Sequence, residues 1–253
     1  MASWQALAQE LSVWQELGRS PELWWRDDDA QKDSGALQRL NQLSLNYQIP
    51  LQLAVIPAGV EQSLLSAFES NQRLYGLQHG YSHRNHASAD KRKCELGDDR
   101  SLNAVLAELL EGRNLLAELL GEAFTAALVP PWNRLTEALP PKLNQIGFIG
   151  LSTLGPRVSS PIYGLAQVNV HVDLIDWKNR AFAGEARVLS QFISHLSARR
   201  QGIVDPDEAT GFMTHHLAHD DDCWAFCQKL FHFLQQYPVA WQSPEKLFSV
   251  PRV

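Results

Sequence analysis

The chain has 253 residues, is 45% hydrophobic and carries 28 acidic against 22 basic residues, for a net charge of −6. That length allows one large domain with a well-buried core, so we expect a single domain over residues 1–253. The acidic balance and the lack of a basic stripe exclude nucleic acid as an expected partner.

Two features bear on the cellular location. Residues 1–18 include Glu10 and Glu16 and lack a basic start followed by an unbroken apolar core, so they predict an amphipathic helix rather than a secretory signal. No apolar stretch reaches the roughly 18–20 residues of a membrane span. Three cysteines are too few and too irregularly spaced for a disulfide framework. We therefore expect a cytoplasmic protein without a membrane span.

Short apolar runs alternate with stretches of helical spacing along the chain. This β-then-α alternation predicts a mostly parallel sheet. The predicted strands are 22–26, 51–56, 74–79, 126–129, 148–151, 167–172, 211–215 and 239–242, and the predicted helices after the first are 34–47, 61–70, 102–120, 135–146, 186–199 and 220–236.

The number of units favours one fold class. Seven or so βα units in one domain, with polar residues after the strands, predict a deformed (β/α) barrel of about seven parallel strands. A doubly wound open sheet is the alternative. Both folds bind ligands at the carboxyl ends of their strands, so the location of the site does not depend on the choice.

Three consecutive carboxylates, Asp27, Asp28 and Asp29, follow the first predicted strand. Like charges this close repel one another, so a metal ion, Arg26 or water must stabilise them. Neighbouring side chains of a strand point to opposite sides, so one aspartate can bind a metal while another acts as a base. The alternative is a solvated acidic turn that caps the next helix.

His79 and His83 are spaced i, i+4. On a helical turn this spacing places two imidazoles on one face, within reach of one ion. With one carboxylate they would form a two-histidine, one-carboxylate site with open positions. Such a site can polarise a carbonyl and lower the pKa of a bound water. A surface histidine cluster is the alternative.

Trp132 is one of eight tryptophans, several of which adjoin the polar motifs. It follows Pro130 and Pro131, where a rigid turn could aim its N–H at a developing oxyanion. Aromatic faces beside a polar cleft also suit sugar rings. The alternatives are an ordinary strand-to-helix connection and a large residue of the core.

Asp176 and Trp177 form an acidic-aromatic turn after the strand predicted at 167–172. A carboxylate there could raise the pKa of a nearby histidine and keep it protonated as an acid. His215 ends the strand predicted at 211–215 and His216 follows it, and a histidine is the natural proton donor to an amine leaving group. Helix capping and surface polarity are the alternatives.

In this order the motifs resemble those of the polysaccharide deacetylases of carbohydrate esterase family 4, the NodB-homology domain. Residues 25–29 resemble the family's Thr-Phe-Asp-Asp-Gly motif, and residues 79–83 resemble His-(Ser/Thr)-x-x-His. Residues 129–132 are similar to Arg-x-Pro-Tyr, 176–177 to its Asp-Trp pair and 213–215 to Leu-x-His. The resemblance covers most of the chain.

The resemblance implies a metal-dependent hydrolase, with zinc preferred and cobalt or nickel as alternatives. The implied base is Asp27, and the implied acid is a histidine of the last motif. The predicted site comprises Asp27, His215, Asp176 and Trp132 as catalytic residues, Asp28, His79 and His83 as metal ligands, and Trp177, Arg26, Met213 and His216 as substrate-binding residues.

The chain departs from the family pattern at two points. The third motif lacks the arginine that steadies the base, so Arg26 or Arg134 must substitute for it. The doubled histidine leaves the acid open between His215 and His216. We favour His215, because it lies two residues after Met213 and therefore on the same face of the strand.

The predicted function is hydrolysis of an N-acetyl or related acyl group from an amino sugar in a poly- or oligosaccharide or its precursor. Two alternatives remain at this stage. One is a metal-dependent hydrolase of a non-sugar amide, and the other is a barrel that binds a glycan without turnover. The oligomeric state does not follow from the sequence.

Overall fold

A curled sheet of nine strands forms the centre of this computed structural model, which describes residues 2–157, 162 and 164–249. A short antiparallel hairpin, β8–β9, stands apart from it. The strands are Glu22–Ala30 (β1), Leu51–Val55 (β2), Leu74–His79 (β3), Phe124–Val129 (β4), Gly150–Leu151 (β5), Ala166–Gln167 (β6), Val172–Asp173 (β7), Ile175–Asp176 (β8), Ala181–Phe182 (β9), Thr210–Thr214 (β10) and Ala240–Trp241 (β11).

The sheet follows the order β6-β5-β4-β3-β2-β1-β10-β7, with β11 paired to the start of β1. All of these pairings are parallel. The edge strands β6 and β7 belong to one stretch, 166–173, which pairs with β5 at its start and with β10 at its end. The sheet therefore curls into a distorted barrel. This confirms the predicted deformed (β/α) barrel rather than the doubly wound sheet.

Helices cover the outside of the sheet. Side-chain oxygens of Ser3, Ser34, Ser101 and Asp220 accept backbone N–H groups at four helix starts, as N-caps do. None of the described helices is long and apolar enough to cross a bilayer. The helices are Trp4–Glu16 (α1), Gly35–Tyr47 (α2), Leu65–Ser70 (α3), Leu102–Leu120 (α4), Pro140–Leu143 (α5), Glu185–Gln201 (α6), Asp221–Leu234 (α7) and Pro244–Leu247 (α8).

Two apolar layers lie on either side of the barrel wall, and β1 contributes to both. Trp24 packs in the barrel interior, whereas Trp25 packs against the helices outside. Successive side chains of a strand point to opposite faces. The same alternation continues toward the end of β1 and separates the environments of Asp27 and Asp28.

Three predicted elements differ clearly from the structure, whereas others, such as the helix predicted at 61–70 and the strand predicted at 148–151, are only shorter. β1 extends to Ala30, so the aspartates lie within its end. The helix predicted at 135–146 is reduced to α5 and a 3-10 turn, because Leu135 forms a bridge with Leu96 and the helix begins only at Pro140. The strand predicted at 167–172 is divided between β6 and β7. Met1, the first residue of the predicted N-terminal helix, lies outside the described residues.

Candidate metal centre and acid–base site

Most of the predicted site residues meet at the carboxyl ends of β1, β3 and β10. β1 ends with the three aspartates, β3 ends at His79, and His215 directly follows β10. Because these strands are parallel, their carboxyl ends share one rim of the barrel, where barrel enzymes carry their chemistry. The local backbone of β1 decides which aspartate meets which partner.

The regular alternation of β1 breaks at Asp29. This residue has φ 74°, in the left-handed region that aspartate tolerates better than most residues. The pairing of β1 with β2 also shifts register between Asp27 and Ala30. Such an irregularity re-aims a side chain. It accounts for the position of the Asp29 carboxylate beside the end of β3.

One oxygen of Asp29 contacts two imidazoles. Its Oδ1 lies 3.1 Å from Nε2 of His79 and 3.3 Å from Nε2 of His83. The three potential ligand atoms lie within 4.8 Å of one another, close enough to bind one ion. The predicted ligand set contained Asp28. The structure instead groups Asp29, one residue further on, with the two histidines.

The tautomer of His79 suits a metal ligand. Its Nδ1–H donates to the carbonyl oxygen of Val129 at 2.9 Å, which leaves the Nε2 lone pair facing Asp29. A backbone acceptor of this kind fixes the ring of a ligating histidine. A neutral ring in this tautomer has no proton to donate to Asp29, so a cation would satisfy both groups. Two imidazoles and a carboxylate suit zinc, cobalt or nickel.

The charges at this cluster are coupled. Burial alone would raise the pKa of Asp29, but the hydrogen bond and charge of His79 outweigh it and lower the pKa below its usual range. Burial would lower the pKa of His79, yet its contacts with Asp29 raise it. Burial and the His79 charge lower the pKa of His83. A metal ion would compete with a proton for Nε2 of His79, so its binding should weaken at low pH.

His83 is not on a helical turn with His79, as the i, i+4 spacing had predicted. His79 ends β3, and both Gly80 (φ 56°) and His83 (φ 55°) are left-handed, so the chain forms a loop. The buried carboxylate of Glu95 accepts the backbone N–H groups of residues 81 and 82 at 3.2 and 2.7 Å. Sequence reasoning missed Glu95 because it lies within residues 90–100, whose many charged side chains predict an exposed loop.

A buried ion pair joins Arg26 to Asp28 on the barrel side of β1. Nε of Arg26 lies 2.8 Å from Oδ1, and Nη2 donates to Oδ2 at 2.9 Å. Nη1 of Arg26 donates to the Ser152 hydroxyl at 2.8 Å. Arg134 instead donates to a backbone carbonyl of the 90–100 loop. Of the two arginines considered in the sequence, Arg26 is therefore the one that pairs with an aspartate of the first motif.

Two residues predicted to bind substrate are enclosed by protein. Arg26 is fully buried and Met213 is 1% exposed, and the guanidinium Nη2 lies 3.1 Å from the Met213 sulfur. Neither offers a surface that a substrate could contact. Both predictions are corrected, since Arg26 holds Asp28 and Met213 packs in the barrel interior.

Asp27, predicted as the base, is fully buried on the other side of β1. It accepts hydrogen bonds from the Thr214 hydroxyl (2.6 Å), the His216 backbone N–H (2.9 Å) and His216 Nδ1 (2.5 Å). Burial would raise the pKa of Asp27, but the charge and hydrogen bond of His216 lower it. Enclosed in this way, Asp27 cannot meet a substrate, so its predicted role as the base is corrected. His216 is likewise buried, so its predicted role in substrate binding is also corrected.

His215 is the histidine that faces Asp28. Its Nε2 lies 3.8 Å from Oδ2 of Asp28. Trp177, which is 48% exposed, meets the ring of His215 edge to face with centroids 4.5 Å apart. Of the two adjacent histidines, only His215 is therefore placed beside the site's carboxylates.

Asp176 does not contact His215 as predicted. It is half-buried in the β8–β9 hairpin and accepts a hydrogen bond from Asn179. The buried Asp173, at the end of β7, instead accepts the indole N–H of Trp177 at 2.8 Å. Burial raises the pKa of Asp173, and the nearby charge of His215 opposes that shift. The Asp-Trp pair in the sequence was a misleading signal, because the strand end positions the aspartate three residues earlier.

Trp132 lies on the side of the site that holds Asp29, His79 and His83. It has φ 56° in the turn Pro131–Asn133, and its ring centroid is 4.5 Å from that of His83. Trp132 and Trp177 therefore flank the cluster from two directions, next to His83 and His215 respectively.

A second set of two histidines and a carboxylate lies outside the barrel wall. His171, His195 and Glu208 also bring three potential ligand atoms within 4.8 Å. The two rings stack at a centroid distance of 3.4 Å and an interplanar angle of 16°. Because the nitrogen lone pairs lie in the ring planes, those of the two rings lie in nearly parallel planes and do not converge on one point. Nδ1 of His171 accepts the Gly211 N–H at 3.0 Å, which leaves its proton on Nε2. This set does not offer one ion two imidazole ligands.

The sequence matches no family model and no curated protein. The structure is similar to the peptidoglycan N-acetylglucosamine deacetylase Bc1960, with a TM-score of 0.58 at 14% identity over 90% of this chain and 88% of that one. It is also similar to a family 4 carbohydrate esterase from Streptomyces lividans in complex with acetate, with a TM-score of 0.56 at 14% identity over 91% of this chain and 96% of that one. A third similar structure is a mutant of BA3943, a family 4 pseudoenzyme, with restored enzymatic activity. The TM-score is 0.61 at 13% identity over 92% of this chain and 70% of that one.

These similarities define the class of fold. The chain has the deformed barrel of carbohydrate-active deacetylases, and in particular the fold of the family 4 carbohydrate esterases. The resemblance found in the motifs is therefore confirmed at the level of the fold.

Proposed function

We propose that the protein is a metal-dependent deacetylase that hydrolyses the N-acetyl group of an amino sugar in a poly- or oligosaccharide or its precursor. The observation that carries this proposal is the convergence of Asp29, His79 and His83 beside Asp28 and His215 at one rim of the barrel. The shared fold of family 4 esterases supports it.

Asp29, His79 and His83 would hold a divalent ion, with zinc preferred and cobalt or nickel as alternatives. When bound, the ion would supply Lewis acidity toward the acyl carbonyl and lower the pKa of water at the site. This revises the ligand set expected from the sequence, because Asp29 replaces Asp28.

Asp28 would act as the general base. Its side chain is only 2% exposed, but its Oδ2 lies 3.8 Å from Nε2 of His215, and Arg26 holds both of its oxygens. A bidentate, charge-assisted pair of this kind keeps the carboxylate in a fixed orientation. Held in this way, it would take a proton from the attacking water.

His215 would act as the general acid. Its Nε2 faces the same space as Asp28, so one group can accept a proton from water while the other donates one to the departing amine. The half-exposed ring of Trp177 packs against His215 and presents an apolar surface for the sugar or its acyl methyl group. Trp132, beside His83, would contribute its N–H toward the oxyanion.

The test is acetate release from N-acetylglucosamine oligomers by the zinc-loaded protein. A His215→Gln variant serves as the control, because it removes the acid but none of the proposed ligands. We expect acetate from the wild-type protein and a loss of at least about 100-fold in the variant. Saturable binding of the oligomers without acetate would favour a glycan-binding barrel. Acid release from non-sugar amides alone would favour the amide hydrolase.

A further inference from the structure

The ring of His215 makes no hydrogen bond within the described part of the chain. Its buried Nδ1 has no partner, and its Nε2 is too far from Asp28, at 3.8 Å, for a hydrogen bond. An imidazole in an acid–base role normally has its second nitrogen held by a carboxylate or carbonyl that fixes its orientation. Something other than a hydrogen bond to the ring must therefore set the position of His215.

The backbone on both sides of His215 is held by one buried carboxylate. Oδ2 of Asp27 accepts the Thr214 hydroxyl at 2.6 Å and the His216 N–H at 2.9 Å. Oδ1 accepts Nδ1 of His216 at 2.5 Å. Asp27 and Thr214 are also register partners in the pairing of β1 with β10. The residue before His215 and the residue after it are thus tied to the same side chain.

Trp25 completes this arrangement. Its indole Nε1–H donates to the Thr214 hydroxyl oxygen at 2.9 Å, which directs the hydroxyl proton toward Asp27. Hydrogen bonds to a buried charged acceptor are among the stronger ones in proteins. The cluster of Trp25, Asp27, Thr214 and His216 is therefore rigid as well as buried.

We propose that Asp27, Thr214 and His216 form a clamp that positions His215 opposite Asp28. The three are positioning residues, since none of them reaches the rim. The alternation of β1 makes this possible, because Asp27 fixes the acid from the helical side of the strand while Asp28 faces the acid from the barrel side. The role of the clamp in turnover rests on the proposed function. The effect of the clamp on the position of the His215 ring does not depend on that function.

The experiment compares the full-length wild-type protein with Asp27→Asn and Thr214→Val by NMR of labelled histidine rings, with His215 assigned through His215→Gln. The edge contact with Trp177 gives the His215 protons a ring-current shift that depends on their position. We expect that shift to change in both variants and to return in Thr214→Ser, which keeps the hydroxyl. Glu208→Gln is the matched control, because Glu208 is another buried carboxylate that accepts backbone N–H groups, but it lies beside His171 and makes no hydrogen bond to the residues that flank His215.

If the proposed function holds, kcat for acetate release should fall by roughly 10²-fold in Asp27→Asn, as expected for misplacement of a reacting group by about 1 Å. KM and metal content should stay near the wild-type values. Unchanged His215 resonances in the folded variants would overturn the clamp. If Asp27→Asn does not fold, Thr214→Val tests the clamp instead, because this variant removes only the Thr214 hydroxyl that donates to Asp27. Absence of acetate from every protein would instead overturn the deacetylase function and leave the NMR result valid.

Discussion

Two clusters of the same composition, two histidines and a carboxylate, differ in what they can bind. In the rim cluster, made of Asp29, His79 and His83, both imidazole Nε2 atoms lie close to one carboxylate oxygen. In the outer cluster, made of His171, His195 and Glu208, the rings stack in parallel. The distances between ligand atoms meet the same limit in both.

The difference shows that distance alone does not identify a metal site. An ion is held where lone pairs converge and where a hydrogen bond leaves the right nitrogen free. His79 meets this condition through the Val129 carbonyl, whereas His171 fails it because its Nδ1 accepts the Gly211 N–H. The two clusters therefore differ in the backbone hydrogen bond of the histidine Nδ1 atom, because that bond decides whether Nε2 carries the proton or a free lone pair.

The largest expected effect comes from removing the rim histidines. His79→Gln with His83→Gln should abolish binding of zinc and lower turnover at least about 100-fold, since a Lewis acid supplies several kcal/mol of stabilisation. The matched variant, His171→Gln with His195→Gln, should keep the ion. Elemental analysis after zinc loading measures both, and loss of metal only from the outer-cluster variant would reverse the comparison.

The next effect separates the buried ion pair at the rim of the barrel from an exposed ion pair on the surface. Arg26→Ala leaves Asp28 buried without its ion-pair partner and should lower the free energy of unfolding by about 3–5 kcal/mol. Lys229→Ala, which breaks an exposed pair with Glu185 at 2.8 Å, should change it by at most about 1 kcal/mol. Urea unfolding gives both values. An Arg26 variant as stable as the Lys229 variant would mean that Asp28 does not depend on this pair.

A smaller effect concerns pH and the outer cluster. Burial, with the charge of His171 adding to it, lowers the pKa of His195 from 6.5 to about 2. The unfolded chain therefore binds a proton below pH 6.5 that the folded protein does not, and stability falls as the pH falls. His195→Gln should remove up to about 1.4 kcal/mol of this loss per pH unit. Parallel pH profiles of unfolding free energy for the variant and the wild type would contradict a neutral His195.

The sequence predicted regular elements more accurately than it predicted local backbone conformation. The bounds predicted for β3 and α4 match the structure, because hydrophobic periodicity and the capping Ser101 mark them. The positive φ at Asp29 leaves no comparable pattern, yet it accompanies the placement of Asp29, and not Asp28, beside the two histidines. The division of 167–172 into two strands is likewise set by pairing with β5 and β10, which are distant in the chain.

The residues of the site were found as a group, but their roles depend on tertiary contacts. Sequence spacing could not show that Asp27 is enclosed by Thr214 and His216, or that Asp173 holds Trp177. The substitution of Arg26 for the missing arginine was one of two possibilities in the sequence. Only the geometry of the barrel interior distinguishes it from Arg134.

The assignment of Asp29 as ligand and Asp28 as base is tested most directly by metal content and turnover in two variants, Asp28→Asn and Asp29→Asn. Elemental analysis of the zinc-loaded proteins should show an ion retained in Asp28→Asn, which loses acetate release, and lost from Asp29→Asn. An ion lost from Asp28→Asn but retained in Asp29→Asn would contradict the account and restore the ligand expected from the sequence.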